Sequence, residues 1–462
     1  MSNHILDYPL ILKTALRHGG DFADVFVERS VSTLIQLEDN KVEKVITGTD
    51  CGAGVRVLFG GKTAYAYGND LSTDALVRLA ETVSAAVKGA AGDVTVNLSK
   101  RHPLVVHPVR RHPTDVETTV KVGMVRSAND RARGAGDKVR QVMVVYRDKV
   151  SDITIATSDG TLVDDHRVYT TGLVQVIAAD GEVLQTGYEP VSGLAGYELF
   201  DESPLETAAE TAARRALMML TARKAPGGSM PVVLSADAGG TMIHEAVGHG
   251  LEADLALQGL SVYAGKLGQK IASPLITVID DATLINKRGS FSFDDEGIEA
   301  ERTVLIEDGI LKSYMCDRLW ALNGNLKSTG NGRRESYQCR PIPRMTNTFI
   351  APGKSDPAEI VRSTSSGLFV KKMGGGQVNT VTGDFVFEVS EGYMIENGKI
   401  GEPVRGATLT GNGPHVLETI DMLGNDLGFS IGTCGKDGQG APVSDAQPTL
   451  RIPEIVVGGH IG

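Results

Sequence analysis

Apolar positions along this chain follow two spacings, helical and strand-like, and their sequence predicts most of its elements. Ile5–His18 carries apolar residues at helical intervals (Ile5, Leu6, Leu10, Ile11, Ala15, Leu16) and ends at Gly19-Gly20, an amphipathic helix with a glycine stop. Ala23–Ile46 alternates as strands, with Asp39-Asn40 at a turn, and Gly54–Tyr67 reads as a hairpin around Gly60-Gly61. Ser72–Lys88 is helical, with Ser72 or Thr73 as its cap, and Val116–Ala135 is a further helix. From Val139 to Ala195 the alternation predicts an antiparallel meander, with turns at Ser158-Asp159-Gly160 and Ala179-Asp180-Gly181. Ser203-Pro204-Leu205-Glu206 has the form of a capping box opening an alanine-rich helix to about Ala222.

The pattern changes at Pro226-Gly227-Gly228-Ser229, which places a domain boundary near Ala225. A strand at Pro231–Leu234 and a glycine-rich approach lead into a helix beginning near Thr241. Beyond Asp254 the chain is punctuated by glycine and strand-like: Ile276–Ile279, Ser290–Phe293, Ala300–Glu307, Ile310-Leu311, Phe385–Ser390 and Tyr393–Glu396. Asn397-Gly398 turns the last of these into Lys399-Ile400, and short helices are expected at Tyr314–Ala321 and His415–Leu423. The sum is an α+β chain: an N-terminal α/β domain with an antiparallel sheet (1–225), then a β-rich C-terminal domain (226–462) carrying the helix near Thr241. No repeat of solenoid period occurs.

Composition narrows the function classes. The 462 residues carry a net charge of −11 and no basic block, which argues against a nucleic-acid partner. No window approaches the roughly 18 apolar residues of a membrane span, and Met1–Gly20 lacks a signal-peptide pattern. Four scattered cysteines without C-x-x-C are not a disulfide framework, so a reducing, cytoplasmic location is expected.

The chemistry concentrates in the helix near Thr241. His244-Glu245-Ala246-Val247-Gly248-His249 has the form H-E-x-x-x-H, one residue longer than the H-E-x-x-H of common zinc proteases. On a regular α-helix, positions five apart diverge by roughly 140°, so both imidazoles reach one ion only if the turn widens. A π-bulge at Ala246–His249, made cheaper by Gly248, is therefore expected. His244 and His249 are two neutral nitrogen donors, and Glu245 is placed to act on the water as general base. The bland reading, two hydrogen-bonded structural histidines, competes with this.

A third ligand is required. Cys51, Cys316 and Cys339 read as small buried residues. Cys434 lies in the glycine-rich Ile431–Gly440 segment, where Lys436 could favour the thiolate, and His415 is its rival. Residue chemistry leans to Cys434 and leaves the choice open. His102, His107 and His112, spaced among prolines, fit a surface linker better than a metal tract. Asp294-Asp295-Glu296-Gly297 reads as an acidic turn before a second cation site. Gly374-Gly375-Gly376 is either a tight connection or a surface for a substrate backbone, and Arg344 and Asn347 serve either peptide or core.

Several further segments accompany the histidine motif: Ser292–Gly297, Pro343–Thr348, Gly374–Val378, Pro403–Leu409, Gly411–Pro414 and Gly432–Gln439. In this order the chain resembles the TldD/PmbA family of zinc metalloproteases, specifically its active TldD-like branch. That resemblance implies zinc held by His244, His249 and Cys434, with Glu245 as the catalytic residue. It also implies extended or unfolded peptides as substrates. As a partner it implies a TldE/PmbA-like paralogue in a heterodimer, with a homodimer as the other arrangement. A non-catalytic regulatory or peptide-binding module, linked to the family's older association with gyrase modulation, is the competing function. A metal hydrolase of non-peptide amides is the third.

Overall fold

A computed structural model describes residues 6–87, 89 and 95–460. The N-terminal alternation forms one twisted sheet of long hairpins: Phe22–Glu38, Lys41–Phe59, Lys62–Gly68, Val139–Thr157, Thr161–Asp180 and Val183–Leu194. All of these pair antiparallel, and the short strand Ser99–Lys100 adds to Thr161–Asp180 in parallel. Asp39 and Asn40 take φ of 47° and 68°, the left-handed pair that a two-residue hairpin of matching twist requires. Helices Tyr8–Ala15 and Thr73–Ala85 bury their apolar stripes against one part of the sheet, and Thr118–Arg133 and Leu205–Thr221 against another. Ser72 caps its helix as expected, accepting from the Ala75 N–H. Ile5 and Lys88, the expected outer ends of two helices, lie outside the described residues.

The alanines explain how Leu205–Thr221 sits so close to the sheet. Ala208, Ala209, Ala212, Ala213 and Ala216 are buried, and a Cβ on Gly187 would run into the Ala212 carbonyl. The expected capping box is not formed. Ser203 already terminates the short helix Leu199–Glu202, donating its N–H to Leu199, and gives no side-chain bond to the helix that follows.

The second half holds two large sheets around one core, beside a small two-stranded one of Gly332–Arg333 and Ile342–Pro343. An eight-stranded sheet includes Gly228–Leu234, Ser366–Val378, Asp384–Glu396, Lys399–Arg405 and Leu450–Gly458. A six-stranded sheet runs in the order Ile310–Leu311, Arg302–Glu307, Val278–Asp281, Asn347–Ile350, Gln439–Gln447, Gly428–Lys436. Val232, Leu368 and Phe387 of the first sheet and Val278, Ile350 and Val443 of the second share a cluster with Ile243 and Val247. The helical segment at 241–251 is thus embedded between the sheets, which fixes it from both sides.

Several expectations change here. Phe385–Ser390 and Tyr393–Glu396 are one strand, Asp384–Glu396, and the helix expected at His415–Leu423 runs over Gly413–Thr419, with Leu423 in a short strand. Ser290–Phe293 is not a strand, because its backbone is used in irregular bonds with Asp165 and Ala300. The helix expected at Tyr314–Ala321 starts later, at Arg318, where Asp317 accepts from the Trp320 N–H. Gly374–Gly376 is neither a loop nor a connection; it is a register break inside Ser366–Val378, with Gly376 directly against Phe387.

The acidic turn joins the halves. Glu296 pairs at 2.7 Å with Arg56, which also holds Asp24, and Asp295 pairs at 2.8 Å with Arg167 of the N-terminal sheet. Asp294 accepts from the N–H groups of Glu296, Ile298 and Gly332. All three acids are buried and serve the junction.

Candidate metal centre

The histidine motif folds as one α turn at Thr241–Ile243, a π turn at His244–Gly248 and a 3₁₀ turn at His249–Leu251. The His249 N–H donates to the His244 carbonyl, the five-residue bond that a π turn makes. The widened turn brings the imidazoles together, ring centroids 5.1 Å apart at 89°. The glycine is needed for space and not for an unusual dihedral. Gly248 has φ −53°, ψ −58°, and a Cβ there would collide with Met345 Sδ. The buried Tyr263 hydroxyl donates to the Ala246 carbonyl at 3.0 Å and so satisfies a backbone group within the turn.

Cys434 comes from the other side. It lies on the strand Gly428–Lys436, not in a loop, and that strand turns through Asp437-Gly438 into Gln439–Gln447. The fully buried Arg344 grips both arms of this hairpin, donating to the carbonyls of Cys434 and Gln439. Ligand atoms of His244, His249 and Cys434 lie within 4.8 Å of one another, and Cys434 Sγ is 3.4 Å from His249 Nε2. Burial opposes ionisation of the Cys434 thiol, but hydrogen bonds and charge from His244 and His249 outweigh it, bringing the pKa down to about 5. The two imidazoles, and not Lys436 as expected, are the main cause.

Lys436 instead bonds to Glu252 at 3.0 Å and Asp254 at 2.7 Å. Glu252 accepts from His249 Nδ1 at 3.0 Å, which fixes the ring so that Nε2 faces Cys434. Burial opposes ionisation of Glu252, and Lys436 and His249 prevail, holding it at about 2. His244 Nδ1 lies 3.6 Å from Asp445, which in turn accepts from the Ser430 hydroxyl. Glu245 differs: among the described residues its carboxylate has no hydrogen-bond partner, and partial burial raises its pKa above the usual carboxylate value. It lines a cavity of about 1640 Å³ that also reaches His244, His249, Cys434 and Gly374–Gly376. The strand Val183–Leu194 supplies part of its wall.

His415 is exposed on the helix Gly413–Thr419 and is not among the converging atoms. Cys316 is buried as expected, whereas Cys51 is exposed in the middle of Lys41–Phe59 and Cys339 is only half-buried. Asn347 is buried and bonds to Gly289, Asp281 and Ser290, so it serves the core. Sequence reasoning did not find the Glu252, Asp254 and Asp445 supports. Glu252 alone left a signal, three residues beyond His249 on a helical turn.

Family models for the PmbA/TldA metallopeptidase match almost the whole chain: domain 1 at residues 23–90, the central domain at 111–220 and the C-terminal domain at 227–459. The chain belongs to the TldD/PmbA family. A metalloprotease TldD homolog of Haemophilus influenzae is 38% identical over 452 residues, covering 95% of this chain and 93% of that one. A metalloprotease of Methanothermobacter thermautotrophicus is 35% identical, covering 95% and 96%. These TldD/PmbA relatives support a metallopeptidase role and a metal cofactor. The fold matches a Thermotoga maritima structure (TM-score 0.79, 20% identity, covering 95% and 96%). It also matches TldE of Thermococcus kodakarensis (TM-score 0.75, 16% identity, covering 97% and 99%). No helix among the described residues is long and apolar enough to cross a membrane.

Proposed function

We propose that this chain is a zinc-dependent peptidase in which His244, His249 and Cys434 hold the ion and Glu245 is the general base. The observation that carries this reading is the convergence of two imidazoles and a low-pKa thiol beside an unpartnered carboxylate in a large cavity. Nitrogen and sulfur donors in a set of three suit zinc with one position left open, and do not suit calcium or magnesium. A zinc ion bound there supplies Lewis acidity and a more acidic water. The protein's own part is then proton handling. Half-buried Glu245, with its raised pKa, takes a proton from water and returns it to the leaving amine.

The cavity favours an extended peptide. Gly428–Lys436 is the last strand of its sheet, and Lys436 and Gln439 close its two-residue turn. Alternate residues bond to the neighbouring strand, so Ile431, Thr433 and Gly435 turn their N–H and C=O groups to the open edge, within the cavity lining. A substrate strand can add there, beside Cys434. The fold's likeness to TldE supports pairing with a TldE/PmbA-like paralogue, with a homodimer as the alternative. The four free cysteines fit a cytoplasmic location.

The test is metal content together with peptide-library cleavage read by mass spectrometry, with and without the candidate partner. About one zinc per chain is expected, with cleavage lost on chelation and restored by zinc. A zinc-free protein that still cleaves the library would overturn the reading. A stable zinc-free protein that binds peptide without cutting it would favour the binding module instead.

A further inference from the structure

Lys436 is fully engaged by groups on two other segments. Its ammonium reaches Glu252 Oε2 at 3.0 Å, Asp254 Oδ1 at 2.7 Å and the Pro343 carbonyl at 3.1 Å, one partner for each of its three donors. Glu252 is completely buried, and the oxygen that accepts from Lys436 also accepts from His249 Nδ1 at 3.0 Å. The placement in sequence gives this meaning. Glu252 follows His249 by three residues across the end of the 3₁₀ turn, and Lys436 follows Cys434 by two on one strand, so both project from the same face. One ammonium thereby ties the helical turn that carries a nitrogen donor to the hairpin that carries the sulfur donor.

We propose that Glu252 and Lys436 are positioning residues of the metal centre. Glu252 fixes the His249 tautomer and ring angle, and Lys436 locks the hairpin and the turn at the separation a shared ion needs. The inference rests on the zinc reading of His244, His249 and Cys434. It adds a division of labour: Arg344 sets the height of the hairpin through its carbonyls, and Lys436 sets its distance from His249. The Coulomb argument has the same sense. Without Lys436, the buried Glu252 keeps only His249 as a counter-group, and the imidazole is drawn toward the carboxylate and away from the sulfur.

Zinc affinity of the full chain, measured by competition with a chromogenic chelator, and the absorption bands of the cobalt-substituted protein test this. Lys436→Met is expected to weaken zinc by about 10- to 100-fold and to shift the cobalt d–d and thiolate charge-transfer bands. Glu252→Gln keeps an acceptor for Nδ1–H and is expected to weaken zinc less than Glu252→Ala does. Lys121→Met breaks a similarly buried pair in the N-terminal half, Lys121 of the helix Thr118–Arg133 with Asp148 of the sheet at 2.8 Å, and should leave affinity and bands unchanged. If Lys436→Met does not fold, Glu252→Gln against Glu252→Ala carries the same comparison. Folded Lys436→Met or Glu252→Ala protein with the parent's affinity and bands would overturn the proposal. A parent chain that takes up no zinc would instead overturn the metal site itself.

Discussion

His249 donates its backbone N–H to the carbonyl of His244, and this one bond converts a five-residue spacing into a facing pair of imidazoles. The turn has no slack at Gly248, where any Cβ meets Met345 Sδ. Gly248→Ala should therefore destabilise the protein by about 1–3 kcal/mol and weaken zinc binding. Combining it with Met345→Ala, which makes room, should recover part of the zinc affinity. Urea unfolding and chelator competition read the two effects separately. A Gly248→Ala chain with parental zinc affinity would show that the turn tolerates the methyl group and that its geometry is not set there.

Cys434 and His415 make opposite predictions. Cys434→Ala should lose stoichiometric zinc, because Sγ is the third converging atom, whereas exposed His415→Ala should retain it. Elemental analysis of the two purified variants decides the matter, and the reverse outcome would reassign the third ligand.

Glu245→Gln preserves size and leaves the three converging side chains untouched. Zinc content should stay at the parental level, while cleavage of an unfolded peptide library falls by about 10²- to 10⁴-fold. Cleavage within a few-fold of the parent would move the base to another group.

The junction between the halves predicts a pH dependence. Glu391, on Asp384–Glu396, is buried; it accepts from Arg215 at 2.9 Å and Tyr393 at 2.8 Å and also meets Arg214, both arginines lying on Leu205–Thr221. Burial works against its ionisation, but these partners win and hold its pKa below the ordinary 4.5. A carboxyl depressed in the folded state contributes stability above its unfolded pKa, and the contribution is lost as pH falls through the folded value. Glu391→Gln should thus cost about 3–5 kcal/mol near neutrality. The gap from the parent should narrow as the pH drops below 4.5. Urea titrations at neutral and acidic pH measure this, and a gap independent of pH would rule out the charge as its origin.

Much of the N-terminal sheet was legible in the chain because period-two alternation and glycine or Asx turns are local signals. Asp39-Asn40 and Gly60-Gly61 turn where the pattern says they should. The π turn was legible for a different reason: the spacing of His244 and His249 is incompatible with a regular helix if both face one point. Long-range partners left less trace. Asp294, Asp295 and Glu296 look like a solvent-facing turn until Arg167 and Arg56, more than a hundred residues upstream, pair with Asp295 and Glu296 in the interior and backbone N–H groups take up Asp294. Lys436 looked like the cation for its neighbour Cys434, yet its side chain spends its donors on Glu252 and Asp254. Ser203 had the right residues for a cap, and a preceding helical turn had already claimed its backbone.

The hairpin Gly428–Gln447 places a sulfur donor and an open backbone edge on the same strand. An extended chain docked on that edge keeps its hydrogen bonds and its side-chain faces only when it moves by two residues at a time. With a peptide docked as proposed, such an edge would act as a ruler as well as a clamp. Successive cuts along one docked peptide would leave fragments whose lengths differ by even numbers of residues, a parity written into the products by the pleat of a single strand.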